Sequence, residues 1–275
     1  MNKKFLWLIT GSLFCFFVNA QTFRLEFMKS LNAKDMKRAE EILKAWDLTD
    51  ANDPELYVAF FNFYTVKSMD AGLLSLNGFE KKLADQALEF ISEGIQRFPI
   101  RLDMRIAKIY MLGKLDDYPS YVSEIMKLIT YSAKIKNNWK QEDFMSVDYA
   151  EDMFFGVVAE GQEFLFSKND ASLFKEIIRI SDEMLKYYPK HNQSRLAVST
   201  VYIAQKEFDK SLETLLKAIE IEPGNAVILY NIAYVYYLKD DKANARKYFE
   251  LTIKHCGEKE DDLKEEAKKQ LEDLL

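Results

Sequence analysis

"NQSRLAVSTVYIAQKEFDKSLETLLKAIEIEPGN", residues 192–225, is followed directly by "AVILYNIAYVYYLKDDKANARKYFELTIKHCG", residues 226–257, and the two stretches carry one pattern. With Asn192 set on Ala226, a shift of 34, Val198-Ser199 fall on Ile232-Ala233, Tyr202 on Tyr236, Ser211 on Ala245, Leu215 on Phe249, Ala218 on Thr252 and Pro223 on Gly257. Self-similarity at a fixed period marks a repeat architecture, in which each unit buries its apolar face against the next. Small residues recur where two antiparallel helices must approach closely: Ser199 or Ala233 on the first, Ser211 or Ala245 on the second. Larger apolar residues fill the space around them, and Pro or Gly interrupts the chain before the next unit.

The rest of the chain can be divided the same way. Of 275 residues, 48% are hydrophobic and 30% charged, while 9 Gly and 5 Pro are too few turn formers for a sheet-rich fold. Pro189 closes a unit made of "DMFFGVVAEGQEFLF" (152–166) and "LFKEIIRISDEMLKYY" (173–188), with its break at Ser167-Lys168-Asn169-Asp170. Residues 102–135 form a further pair around "LDDYPS". Pro99 follows "ADQALEFISEGIQRF" (84–98), where Ala87, Ile91 and Gly94 take the small, large and small places. Its partner is "DPELYVAFFNFYTVKS" (53–68), with Asp53 as cap and Pro54 in the first turn. An insertion at Met69 to Glu80 separates the two. "FRLEFMKSL" and "MKRAEEILKAW" make the first pair, split at Asn32-Ala33-Lys34-Asp35, for about six units in all. In the tail, Leu263, Ala267, Leu271 and Leu274 line one side of a helix, as a polar-backed cap requires.

A 34-residue helix-turn-helix of this kind resembles the tetratricopeptide repeat (TPR). The resemblance is carried by Ala233, Tyr236, Ala245 and Phe249 in the last unit and by Ser199, Tyr202, Phe208, Ala218 and Pro223 in the one before. Arg195 and Leu229 stand where the family often has Trp, Lys242 replaces an aromatic residue, and Thr252 replaces Ala. The resemblance implies an all-α, right-handed helical-repeat solenoid over residues 21–257, with residues 258–275 as a C-terminal capping helix.

Residues 1–20, "MNKKFLWLITGSLFCFFVNA", have the basic start, apolar block and small-residue close of a cleavable signal peptide. The block from Phe5 to Val18 falls short of the roughly 20 residues that span a bilayer, so no retained membrane anchor is expected. Cys15 lacks the small preceding residue that lipidation wants. The expected location is the periplasm or the cell exterior. Cleavage would remove Lys3 and Lys4, leaving 36 basic and 44 acidic residues and a net charge of −8 (36 − 44). So acidic a chain is a poor ligand for nucleic acid or an acidic membrane surface. Cys256 would be the only cysteine left, which excludes an intrachain disulfide.

No catalytic constellation is legible. The two histidines, His191 in the turn after Pro189 and His255 in a last helical turn, have no metal-ligand spacing, so no metal or cofactor is expected. Asp116-Asp117, Asp240-Asp241 and Asp261-Asp262 sit at predicted breaks, where aspartate caps helices. Asn192-Gln193-Ser194 matches the short glycosylation pattern, and Cys256 reads as a half-buried residue at a helix end.

What remains is surface for binding. The resemblance implies that first helices line a concave groove, and the candidates on them are Val227, Tyr230, Asn231, Tyr234 and Tyr237 in the last unit, with Leu196, Thr200 and Ile203 in the one before. Ile232, Ala233 and Tyr236, with Ala245 and Phe249, read instead as packing within the pair. Family members that grip a carboxylate tail use Lys, Asn and Arg in the groove, and only Asn231 is offered here. The expected function is a non-enzymatic scaffold that binds a protein or peptide. Alternatives are a structural subunit of an envelope complex or homo-oligomer and, more remotely, a carboxylate-dependent hydrolase on a helical scaffold.

Overall fold

The computed structural model describes residues 20–71, 78–139, 147–257 and 260–274. The expected export signal therefore lies outside the described residues except for Ala20, as does the middle of the insertion. The fold is all-α. Among the described residues, six successive helix pairs and a final helix form TPR-like repeats. The chain divides into two compact units, with the boundary between Phe98 and Pro99.

The first unit holds α1 (Ala20–Asn32), α2 (Met36–Thr49), α3 (Pro54–Ala71) and α4 (Lys81–Arg97). Its core gathers Phe27 and Leu31 of α1, Ile42, Leu43 and Trp46 of α2, and Leu56 and Phe63 of α3. Trp46 is fully buried and stacks on Phe23. Burying an indole strands its N–H unless an acceptor goes with it. Asp53 supplies that acceptor: one carboxylate oxygen takes the Trp46 Nε1–H at 3.0 Å, while the other takes the Glu55 backbone N–H at 2.9 Å. A single carboxylate thus ties α2 to the start of α3, a fuller role than the cap read from the sequence.

The second unit holds α5 (Leu102–Lys114), α6 (Tyr118–Ile135), α7 (Val147–Ser167), a 3-10 turn (Ala171–Leu173), α8 (Phe174–Tyr187), α9 (Asn192–Ala204), α10 (Phe208–Ile221), α11 (Ala226–Leu238), α12 (Lys242–His255) and α13 (Asp261–Glu272). The small residues meet where the repeat register places them. Ser199 and Ser211, both buried, lie hydroxyl to hydroxyl at 2.8 Å between α9 and α10. Ala233 and Ala245 occupy the same places in α11 and α12, fully buried and with no polar atom to satisfy. Successive pairs share a core in which Leu212, Leu215 and Ala218 of α10 pack on Ile228, Ile232 and Val235 of α11. Ala267 and Leu274, at the end of the chain, close the cluster of Ala233, Ala245 and Phe249. A buried polar knot secures the middle of the unit. The Trp139 indole N–H donates to Ser132 Oγ at 3.0 Å, the Asn137 amide donates to Glu151 at 2.9 Å, and the Tyr188 hydroxyl lies 3.0 Å from Ser132 Oγ and 2.9 Å from Asn137 Oδ1.

Five of the six pairs turn in the same way. A three-residue turn has its middle residue in the left-handed region: Lys34, Asp116, Asn169, Lys206 and Asp240, with φ of 54° to 61°. In four of them the third residue donates its N–H five residues back, Asp35 to Ser30, Asp117 to Leu112, Glu207 to Tyr202 and Asp241 to Tyr236, closing the first helix as a Schellman turn does. Asp35, Asp117, Asp170 and Asp241 then accept backbone N–H groups at the start of the following helix or 3-10 turn. None of the five left-handed residues is glycine, though a side chain there costs energy that glycine avoids. Lys206→Gly should therefore stabilise the second unit by about 0.5–1 kcal/mol, measured by urea unfolding against the parent chain. A loss of stability would contradict the turn geometry.

Candidate binding face

The first helices of the second unit repeat one register. Counted from the start of each helix, the fifth, ninth and twelfth residues are Ile106, Tyr110 and Gly113 on α5, Leu196, Thr200 and Ile203 on α9, and Tyr230, Tyr234 and Tyr237 on α11. These positions share one side of a helix. Counted back from its end, α7 contributes Glu163 and Phe166 to the same rows. The sequence reading named the members on α9 and α11 and missed those on α5, which the same counting from Leu102 would have found, and those on α7, which is longer and falls into register only from its end.

On α11 the rings form a ladder. Tyr230 and Tyr234 stack with centroids 6.4 Å apart and planes within 7°, and Tyr234 stacks on Tyr237 at 6.4 Å. The ladder runs from core to solvent. Tyr230 meets Phe249 edge-on at 5.6 Å and joins the terminal cluster, so it belongs in part to the packing of the pair. Burial raises its phenol pKa, and the Glu266 carboxylate adds to the shift. Tyr234 is half-buried, while Tyr237 and Val227 are exposed. Tyr236 faces elsewhere and stacks on Tyr248 of α12 at 5.7 Å. Asn231 donates its amide to the Val227 carbonyl of its own helix at 2.8 Å.

The α9 members sit deeper. Leu196 and Ile203 pack against the core shared by α10 and α11. Thr200, whose hydroxyl donates to the Leu196 carbonyl, lines a small apolar cleft against α7 with Gln162, Phe166 and Ala197. A second cleft opens between α5 and α7 beside Ile106, Tyr110 and Gly113. The row thus combines exposed tyrosines with two recesses between neighbouring first helices. Such a surface offers apolar area, ring faces and hydroxyls, which are the means by which side chains of another chain are held.

The groups weighed for chemistry hold structural positions. Asp117 and Asp241 are N-caps, and Cys256 ends α12, where burial raises its thiol pKa. Among the described residues, no three of His, Cys, Asp and Glu are placed to hold a metal ion, and no helix is long and apolar enough to cross a membrane. His191 is the N-cap of α9: its Nδ1 accepts the Ser194 N–H at 3.4 Å while its ring stacks on Phe155 at 5.2 Å. Burial pushes its pKa down from 6.5 to about 4, with the Arg195 charge adding to the shift.

A neutral cap of this kind makes stability depend on pH. The folded chain binds fewer protons at His191 than the unfolded chain between about 4 and 6.5, so the stabilisation is full above 6.5 and is lost as the pH falls through that window. After allowance for partial exposure, the effect is on the order of 1–3 kcal/mol. His191→Asn, which keeps a capping acceptor, should flatten the fall in melting temperature between pH 7 and pH 4.5. An equal fall in both chains would contradict the burial of a neutral imidazole.

The family model described as TPR repeat matches residues 200–240, which run from the end of α9 through α11. The match covers that stretch alone, and the other helix pairs are TPR-like in their fold. No curated protein matches the chain. The solved structures that the chain is similar to include the C-terminal part of a TPR repeat-containing protein from Cytophaga hutchinsonii, 14% identical, covering 89% of this chain and 84% of that one with a TM-score of 0.49. A tetratricopeptide repeat protein from Parabacteroides merdae is 13% identical, covering 86% and 80%, with a TM-score of 0.41. MamA from Desulfovibrio magneticus RS-1 is 14% identical, covering 71% and 94%, with a TM-score of 0.41.

Proposed function

We propose that this TPR-repeat chain is an exported, non-enzymatic binding module that holds a protein or peptide segment along the first-helix face of its second unit. The observation that carries the reading is the tyrosine ladder: three stacked rings, anchored at Tyr230 on Phe249 and ending exposed at Tyr237. Holding an aromatic ring rigid before binding lowers the entropy lost on capture, and tyrosine adds a hydroxyl that gives direction. The clefts on either side of α7 supply recesses for side chains of the same segment. Export rests on the character of residues 1–20, and the chain's acidic balance disfavours nucleic acid as a partner.

The packing dictates which variant tests this. Tyr230 is unsuitable, because its removal would also open the terminal cluster. Tyr234→Ala with Tyr237→Ala removes only the outer rungs. Peptides selected from a display library by the parent chain should bind this double variant about 10-fold or more weakly, with its thermal unfolding little changed. Undiminished binding would remove the ladder from the function. Mass measurement of the protein recovered from its source cells should give Gln21 as the first residue, and an intact N-terminus would contradict export.

A further inference from the structure

Helix α7, which packs between α5 and α9, carries charge of one sign. Its sequence, Val147–Ser167, contains no Lys or Arg. Asp152, Glu160 and Glu163 are exposed on one side of it, and among the described residues none of the three has an ion-pair partner. Acids on other helices are answered one turn away, as Glu93 is by Arg97, Glu176 by Arg179 and Glu213 by Lys217. On α7 the residue one turn from Glu160 is Glu163, a like charge that opposes it.

The two glutamates stand at the two clefts of the face. Glu163 is the one ionisable group lining the cleft against α9, beside Phe166, Ile177 and Ala197. Glu160 lines the cleft against α5, beside Ile106, Val157 and Phe164. Lys114 lines that cleft from α5, but its ammonium lies 5.1 Å over the Tyr110 ring and forms no ion pair with Glu160. Each cleft thus sets an apolar recess beside an unanswered carboxylate. A lysine or arginine side chain is the complement of that arrangement, since its methylene stem covers apolar surface while its cationic head stays at the edge.

We propose that the first-helix face takes a basic segment, whose Lys or Arg side chains lay their stems in the two clefts and their cations against Glu160 and Glu163. The proposal rests on the reading of that face as a binding surface, and it adds the chemistry of the partner. Exposed Tyr110 and Tyr237 suit the same segment, because a ring face attracts a cation. An acidic segment is the poorer occupant: the rows of the face hold Glu163 and neither Lys nor Arg.

The test uses the full chain and peptides selected on it from a display library. Their sequences are the first reading, and Lys and Arg should be enriched over the input library. In the tightest lysine-containing binder, norleucine in place of lysine keeps the stem, removes the charge and should weaken binding about 10-fold. Glu160→Gln with Glu163→Gln should lose as much on the lysine peptide and should no longer distinguish the two peptides, the coupling that direct contact requires. Raising the salt from about 0.05 M to about 0.5 M should weaken the parent chain more than this variant. Both positions are exposed, so the variant should unfold at the parent's temperature. Selected peptides without an excess of Lys and Arg, or undiminished binding by the double glutamine variant, would overturn the basic partner. If Tyr234→Ala with Tyr237→Ala weakens binding while the glutamine variant does not, the basic partner falls and the face stands. If basic peptides bind and neither variant weakens them, or if no peptide is selected, the face reading falls and the basic segment with it.

Discussion

The second unit depends on how closely two helix backbones can approach. At Ser199 and Ser211 the gap is spanned by two hydroxyls that satisfy each other, and at Ala233 and Ala245 by two methyl groups. Either solution admits nothing larger without moving a helix. The preceding pair solves the problem differently: Gln162 of α7 reaches across to Ser181 and to the Ile177 carbonyl of α8, so a buried amide fills the space. Once the spacing within a pair is set, the side on which first helices follow one another is set too, and the candidate face is that side.

Helix α11 shows how one apolar segment can serve two neighbours and an open side. A helix that is apolar all round is normally buried all round. Here Ile228, Ile232 and Val235 pack on α10, Ala233 meets α12, and the remaining side carries the tyrosine ladder. The ladder is therefore braced from behind at Tyr230 and open at its outer end, an arrangement in which rigidity comes from the fold and exposure is left for a partner.

Much of this was legible in the sequence because it is periodic. The 34-residue shift located the small contacts, and the breaks at Asp116-Asp117, Ser167 to Asp170 and Asp240-Asp241 fell where helices end. What was not legible has physical causes. The left-handed turn residues Lys34, Asp116, Asn169, Lys206 and Asp240 carry no glycine to announce them. The knot of Ser132, Asn137, Trp139 and Tyr188 joins residues more than fifty positions apart by no spacing rule. The double role of Tyr230 follows from the position of Phe249 on the next helix, and the close approach of α5 and α7 to Tyr121 of α6 from two glycines on different helices, Gly113 and Gly161.

The central claim is that first helices bind while second helices support. Hydrogen exchange read by mass spectrometry, on the chain alone and with a library-selected peptide bound, tests this most directly. The account predicts that added protection falls on α5, α7, α9 and α11. Protection confined to α6, α8, α10 and α12 would contradict it and place the working surface on the opposite side of the repeats.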